Sequence, residues 1–252
     1  MKDKPMKIDT KDTDTKKNWA MKIAKKYVNS KYSQDYLSKL FQYTLGEDIA
    51  NAVSHTVGVF FGLYAIINLT WVAARYGDWL DSLAFIIYGL TILFMFLMST
   101  LYHSMVNPTA RTVFKKLDHV AIYILILGSY TPIVFSLLRF DRAYAIYLVL
   151  AICTLVGVIF KALHAGKFKK ISTLLYIMMG WGALALLPAM WKVMPITGLC
   201  FLLAGGAAYS TGALLYAFGR FKYLHMVWHI FVIFGVVFQY ISITFFILQY
   251  RV

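Results

Sequence analysis

The stretch His225–Gln249, HMVWHIFVIFGVVFQYISITFFILQ, holds 25 residues without a lysine, arginine, aspartate or glutamate. At about 1.5 Å of rise per residue, a helix of that length exceeds the roughly 30 Å hydrocarbon core of a bilayer. A chain in lipid must satisfy its own backbone hydrogen bonds, so such a run reads as a transmembrane helix. Working outward, the same reading gives six more spans at Asn51–Ala73, Ser82–Ser104, His119–Leu138, Ala143–Phe160, Ile171–Trp191 and Ile196–Phe218, none containing Lys, Arg, Asp or Glu. The expected fold is therefore all-α, a bundle of seven transmembrane helices occupying residues 46–252. Pro132 and Pro188 fall inside the third and fifth spans, and each removes a backbone donor, which predicts a kink in both.

Composition agrees. The 252 residues are 60% hydrophobic and 14% charged, with a mean hydropathy of +0.66, whereas soluble domains are nearer half apolar and a quarter charged. Cys153 and Cys200 both lie in apolar runs, where they act as small hydrophobes and exclude a disulfide framework. Met1–Lys31 carries ten lysines and no apolar h-region, so no cleaved secretory signal is expected.

The net charge of +14 would indicate nucleic acid in a soluble chain, but 11 of the 25 basic residues are lysines within the first 45 positions. That asymmetry is a topology signal and argues against a nucleic-acid partner. With the N-terminus inside, the inner loops hold Arg111, Lys115, Lys116, Lys161, Lys167, Lys169, Lys170, Arg220 and Lys222, nine residues against Arg75, Arg139, Arg142, Lys192 and Arg251, five, outside. The count favours a cytoplasmic N-terminus and an outer C-terminus in the plasma membrane, opposite to seven-helix G-protein-coupled receptors. A retinal protein is disfavoured because the seventh span has no Schiff-base lysine. Residues 1–45 form a basic cytoplasmic tail, with Met1–Lys17 read as disordered. Trp19, Ile23 and Tyr27, then Leu37, Leu40 and Phe41, recur at helical spacing among lysines. That pattern reads either as an interfacial amphipathic helix on anionic membrane lipids or as a solvated linker.

Ionisable side chains at membrane depth are costly and point to function. Those present are Glu47, Asp48, His55, His103, Asp118, His119, His225 and His229, and the expected topology brings all of them to the cytoplasmic end. His225-Met-Val-Trp-His229 sets two imidazoles at i and i+4 on one helix face. His103 at the same depth completes three neutral nitrogen donors, the set catalytic zinc sites use while leaving one position open. Met226 stands where a zincin has its glutamate, so a general base must come from another helix. Asp118 is the candidate, as a carboxylate that orients and deprotonates a zinc-bound water, or as the N-cap of the third span, or both. Ser99, one turn before His103, is placed to hold an imidazole tautomer from behind. Glu47, Asn51 and His55 stack at i, i+4 and i+8 and read as support for the ligands or a proton path, or as interhelical hydrogen bonds alone. Copper would compete for three imidazoles, so residue chemistry alone leaves the metal open.

The pattern Glu47-x3-Asn51-x3-His55, Ser99-x3-His103, Asp118, His225-x3-His229 closely resembles the hemolysin III family, within the wider progestin and adipoQ receptor superfamily. The likeness runs from about Gly46 to Ser242 and rests on GEDIANAVSH, STLYHS, KKLDHVAIYILILGSYTP and YLHMVWHIFV. It implies a seven-helix bundle with the N-terminus inside, zinc on His103, His225 and His229, and Asp118 near the metal-bound water. Gln239 departs from the pattern, standing where members often carry another histidine, and leaves the three-histidine set intact. Relatives in the superfamily include ceramidases, which implies hydrolysis of a lipid amide. Bacterial members are commonly labelled hemolysins, which implies a pore-forming alternative, and a receptor-like regulator with structural zinc is a third reading. A coupled transporter ranks lower, because no internal repeat is found and the midplane of the bundle lacks ionisable groups. The charge count yields a direct test: alkaline phosphatase fused after Val252 is expected to be active outside the cell, and an inactive fusion would reverse the topology.

Overall fold

A computed structural model describes residues 34–164 and 168–248. Those residues form an all-helical membrane bundle. The helices are α1 Gln34–Leu40, α2 Leu45–Tyr76, α3 Trp79–Ser104, α4 Pro108–Pro132, α5 Asp141–Leu163, α6 Lys169–Trp181, α7 Leu187–Val193, α8 Ile196–Phe218 and α9 Leu224–Phe246. A π-helical turn, Ile133–Leu138, continues α4, and a 3-10 turn, Gly182–Ala185, joins α6 to α7. By length and composition, six spans can cross a membrane. A seventh is completed if α6 and α7, bent by 49°, count as one.

The two prolines act differently. After Pro132 the α4 backbone widens into the π turn, which ends at Arg139 in the left-handed region, φ 43°. This is the expected kink, expressed as a change of helix type. Pro188 instead sits in the first turn of α7, where its missing N–H costs nothing, and the fifth span breaks just before it. The kink expected in Ile171–Trp191 is therefore a full break between two helices, bent by 49°. The third span also begins earlier than expected, at Pro108, where the Asn107 side chain accepts from the backbone N–H of Thr109 at 2.9 Å and Ala110 at 3.2 Å. Asp118 is thus inside a helix and does not cap it.

Glycines let α2 and α3 touch backbone to backbone. A Cβ on Gly62 would lie 2.9 Å from Leu93 Cα, and one on Gly89 would lie 2.9 Å from Ile66 Cα. Close approach through small residues is how helices associate in lipid, where apolar burial gives no net drive. At the turn between them, Asp78 caps α3 and pairs with Arg139 at 2.7 Å, while Arg139 also binds Asp81. Hydrogen bonding from the Arg139 guanidinium holds the Asp78 carboxyl well below the usual carboxylate range.

At the other end of α2, Leu37, Leu40 and Phe41 are buried against the bundle, and the Tyr36 and Thr112 hydroxyls lie 2.6 Å apart. The apolar face that the sequence reading lays on lipid is covered here by protein. Trp19, Ile23 and Tyr27 lie outside the described residues. The α2–α3 contact generates a prediction. Gly62→Val forces its side chain onto backbone that cannot yield, so about 1–3 kcal/mol of stability should be lost. That loss would appear as a lower midpoint in detergent thermal unfolding, and an unchanged midpoint would refute the close approach.

Candidate metal centre

The site is built where α2, α3 and α9 meet. Thr44 caps α2 by accepting from Glu47 N–H at 3.2 Å, and Glu47 Oε2 accepts from Thr44 N–H at 2.9 Å, a reciprocal capping box. Glu47 Oε1 also accepts from the backbone N–H of Tyr223 at 3.4 Å. One carboxylate therefore ties the start of α2 to the entry of α9, which fixes the height at which His225 and His229 enter the bundle.

His103 Nε2 and His225 Nε2 lie 3.1 Å apart, and one nitrogen from each of His103, His225 and His229 falls within a mutual 4.8 Å. Tetrahedral ligands about 2.0–2.1 Å from a zinc ion would stand roughly 3.3 Å from one another, so the spacing fits a metal of that kind. The opposite ring nitrogens are occupied in a way that supports it. His103 Nδ1 donates to Asp48 Oδ1 at 3.0 Å, and His229 Nδ1 donates to the Asn51 carbonyl at 3.1 Å with Ser54 Oγ at 3.0 Å. Placing both protons on Nδ1 leaves both Nε2 lone pairs for a cation. His225 is held by rings, stacked on Tyr43 at 5.1 Å and tilted against Tyr216 at 5.0 Å.

Behind His103 lies a buried ion pair. Arg111 donates to both oxygens of Asp48 at 2.8 Å, to the Leu40 carbonyl at 3.3 Å and to the Met105 carbonyl at 3.0 Å. Its guanidinium packs over the Phe41 ring at 4.6 Å and the Tyr102 ring at 5.0 Å, and the residue is 1% exposed.

The predicted site residues take different places. His103, His225 and His229 come together as donors, with Asn51 holding His229 through its carbonyl. Asp118 is partly buried and lines a cavity of about 500 Å³ that His55, Ser99, His225 and His229 also line, but it is outside the 4.8 Å donor group. His119 also lines the cavity but is outside the donor group, its Nδ1 donating to the Lys115 carbonyl at 2.6 Å. Glu47 acts as the cap and interhelical tie described above. Ser99 Oγ and both nitrogens of His55 are buried without a hydrogen-bond partner among the described residues, so Asp48, and not Ser99, holds the His103 tautomer. Asp48 entered the sequence census without a role and Arg111 was counted only for topology. The missed signal is that Asp48, Asn51 and His55 share one helix face at i, i+3 and i+7, as do Arg111, Lys115 and Asp118 at i, i+4 and i+7.

A bundle of helices able to cross a bilayer, with three imidazoles converging at one end, defines a multi-pass membrane protein with a candidate metal-binding group. Residues 43–240 match the Haemolysin-III related family, and the chain belongs to that family, as its motifs implied. It is 35% identical to Hemolysin-3 of Bacillus cereus over 202 residues, covering 80% of this chain and 92% of that protein. The Hemolysin-3 homolog of Bacillus subtilis (strain 168) is 31% identical over 204 residues, covering 81% and 96%. Human Monocyte to macrophage differentiation factor is 27% identical over 199 residues, covering 75% and 79%, which is consistent with the wider superfamily.

Asp48→Asn keeps the shape but weakens the acceptor for His103. Metal affinity is expected to fall about 10- to 100-fold, read by chelator competition on purified protein. An unchanged affinity would remove Asp48 from the centre.

Proposed function

We propose that the protein is a zinc-dependent hydrolase of lipid amides whose chemistry takes place at the cytoplasmic end of the bundle. The observation that carries this reading is the meeting of His103, His225 and His229 beside a cavity that combines a carboxylate, Asp118, with an apolar wall from α4, α8 and α9. Three neutral imidazoles are the donor set of catalytic zinc, and zinc so held supplies Lewis acidity and lowers the pKa of water.

The chain's own groups provide the rest. Asp48 and the Asn51 carbonyl fix two imidazoles by their Nδ1 protons, so the donors need not reorganise. The apolar wall takes the acyl chain and excludes bulk water. Asp118 accepts the proton of the attacking water and returns it to the leaving amine, so water adds across the amide, the C–N bond breaks, and a fatty acid and an amine result. Lytic activity is the second reading, favoured by the names of the two Bacillus relatives.

About one zinc per chain is expected by elemental analysis of detergent-purified protein, and none in His103→Ala, His225→Ala or His229→Ala. Zinc-loaded wild type should release fatty acid from N-acyl lipids, while Asp118→Ala should lose activity by about 10²–10⁴-fold and keep its zinc. A folded wild type without metal, or equal release by wild type and Asp118→Ala, would overturn the reading. Leakage of liposomes at low protein ratio without any hydrolysis would favour lysis.

A further inference from the structure

Of the three donors, His225 is placed by different means. His103 and His229 are each fixed by an Nδ1 hydrogen bond to α2. His225 is the second residue of α9, which has no side-chain cap and follows Tyr223 in the left-handed region, φ 61°. The first turn of a helix lacks its full set of backbone bonds and frays most easily, so a donor there needs outside support. Aromatic rings supply it. The Tyr43 ring lies nearly parallel to the His225 imidazole, 5.1 Å away at 18°, and the Tyr216 ring stands 5.0 Å away. The two phenol hydroxyls are hydrogen-bonded to each other. Tyr43 also packs against His103, ring to ring at 5.5 Å, so one side chain touches donors carried by two helices.

Tyr43 itself sits in the link between α1 and α2, and the chain is pinned on both sides of it. Ahead of it, Leu37, Leu40 and Phe41 are buried, Arg111 Nε donates to the Leu40 carbonyl at 3.3 Å, and the Arg111 guanidinium covers the Phe41 ring at 4.6 Å. Lys115 Nζ donates to the Lys39 carbonyl at 3.3 Å. Behind it, Thr44 is locked into the capping box with Glu47. A ring carried between two fixed points gives up little further freedom when it stacks, so the contact is preorganised. Helix α1 precedes residues 43–240, which carry the family match.

We propose that Tyr43 is a positioning residue for His225, and that α1 with its link is the strap that holds it there. The inference rests on the metal reading of the three histidines. Docking of α1 on α4 then sets the orientation of a donor on α9. Arg111 supports two donors by separate routes: through Asp48 to His103, and through Leu40 and Phe41 to Tyr43 and so to His225. Loosening the strap lets the third imidazole turn and weakens the hold on the ion while the bundle stays folded.

The test is zinc affinity by chelator competition on the purified full chain, together with the visible absorption of the cobalt-substituted protein and the thermal midpoint of the metal-free form. Tyr43→Leu keeps apolar bulk and removes the aromatic face. It is expected to weaken zinc binding about tenfold and to change the cobalt spectrum, with the metal-free midpoint unmoved. Tyr43→Phe keeps the ring and should restore wild-type affinity and spectrum. Leu37→Ala, which loosens α1, should lose a similar factor, and the double variant Leu37→Ala/Tyr43→Leu should fall little further, because both changes act through one contact. Wild-type affinity in Tyr43→Leu, an equal loss in Tyr43→Phe, or losses that multiply in the double variant would overturn the strap and leave the metal centre standing. A folded wild type that binds neither zinc nor cobalt would overturn the centre, and the strap's role with it.

Discussion

The carboxylate of Asp48 is the junction on which the site depends. It accepts from the His103 imidazole and from the Arg111 guanidinium, and both it and Arg111 are almost fully withdrawn from solvent. Charges buried this deeply are tolerated only when paired, because an isolated ion loses several kcal/mol of hydration. Asp48 therefore cannot leave Arg111, and Arg111 cannot leave the carbonyls of Leu40 and Met105. This chain of bonds runs from α1 through α4 to α2 and reaches α3 at His103.

A second carboxylate, Glu47, does the matching work for α9. By closing the capping box with Thr44 while accepting from Tyr223, it gives α2 and α9 a common starting height. His225 and His229 then project one turn apart at the level His103 reaches from α3. Two adjacent acidic residues at one helix N-terminus thus position all three imidazoles, and the positive end of the helix dipole favours both. The close α2–α3 contact through Gly62 and Gly89 keeps His55 and Ser99 on facing helices.

On the other side of the bundle the helices are less regular, and that irregularity accompanies the cavity. The π turn after Pro132 and the break between α6 and α7 remove straight helix where close packing would otherwise continue. Ile133, Gly180 and Leu187, all at or beside these breaks, line the cavity. In a membrane such departures are allowed only where neighbouring protein satisfies the freed backbone groups, and the Tyr130 hydroxyl does so by donating to the carbonyls of Met179 and Gly180, 2.8 Å from each.

Much of this was legible in the chain. Apolar length gave the spans, because a helix in lipid must be about 20 residues long whatever its neighbours. The spacing of His225 and His229 is local helix geometry, and His103 and Asp118 stood out because ionisable groups at membrane depth are few. Boundaries were drawn wrongly where charges were taken as helix ends: α4 runs back to Pro108, capped by Asn107, and its Arg111 is buried against Asp48, a partner 63 residues away. The burial of α1, the replacement of Ser99 by Asp48 as the partner of His103, and the break in the fifth span depend equally on contacts between distant segments. Sequence by itself determined which helices exist and which chemistry they carry, since length, periodicity and residue type act locally. Only tertiary structure decided which buried groups pair and which are left facing the cavity, because pairing is settled by the relative heights of packed helices.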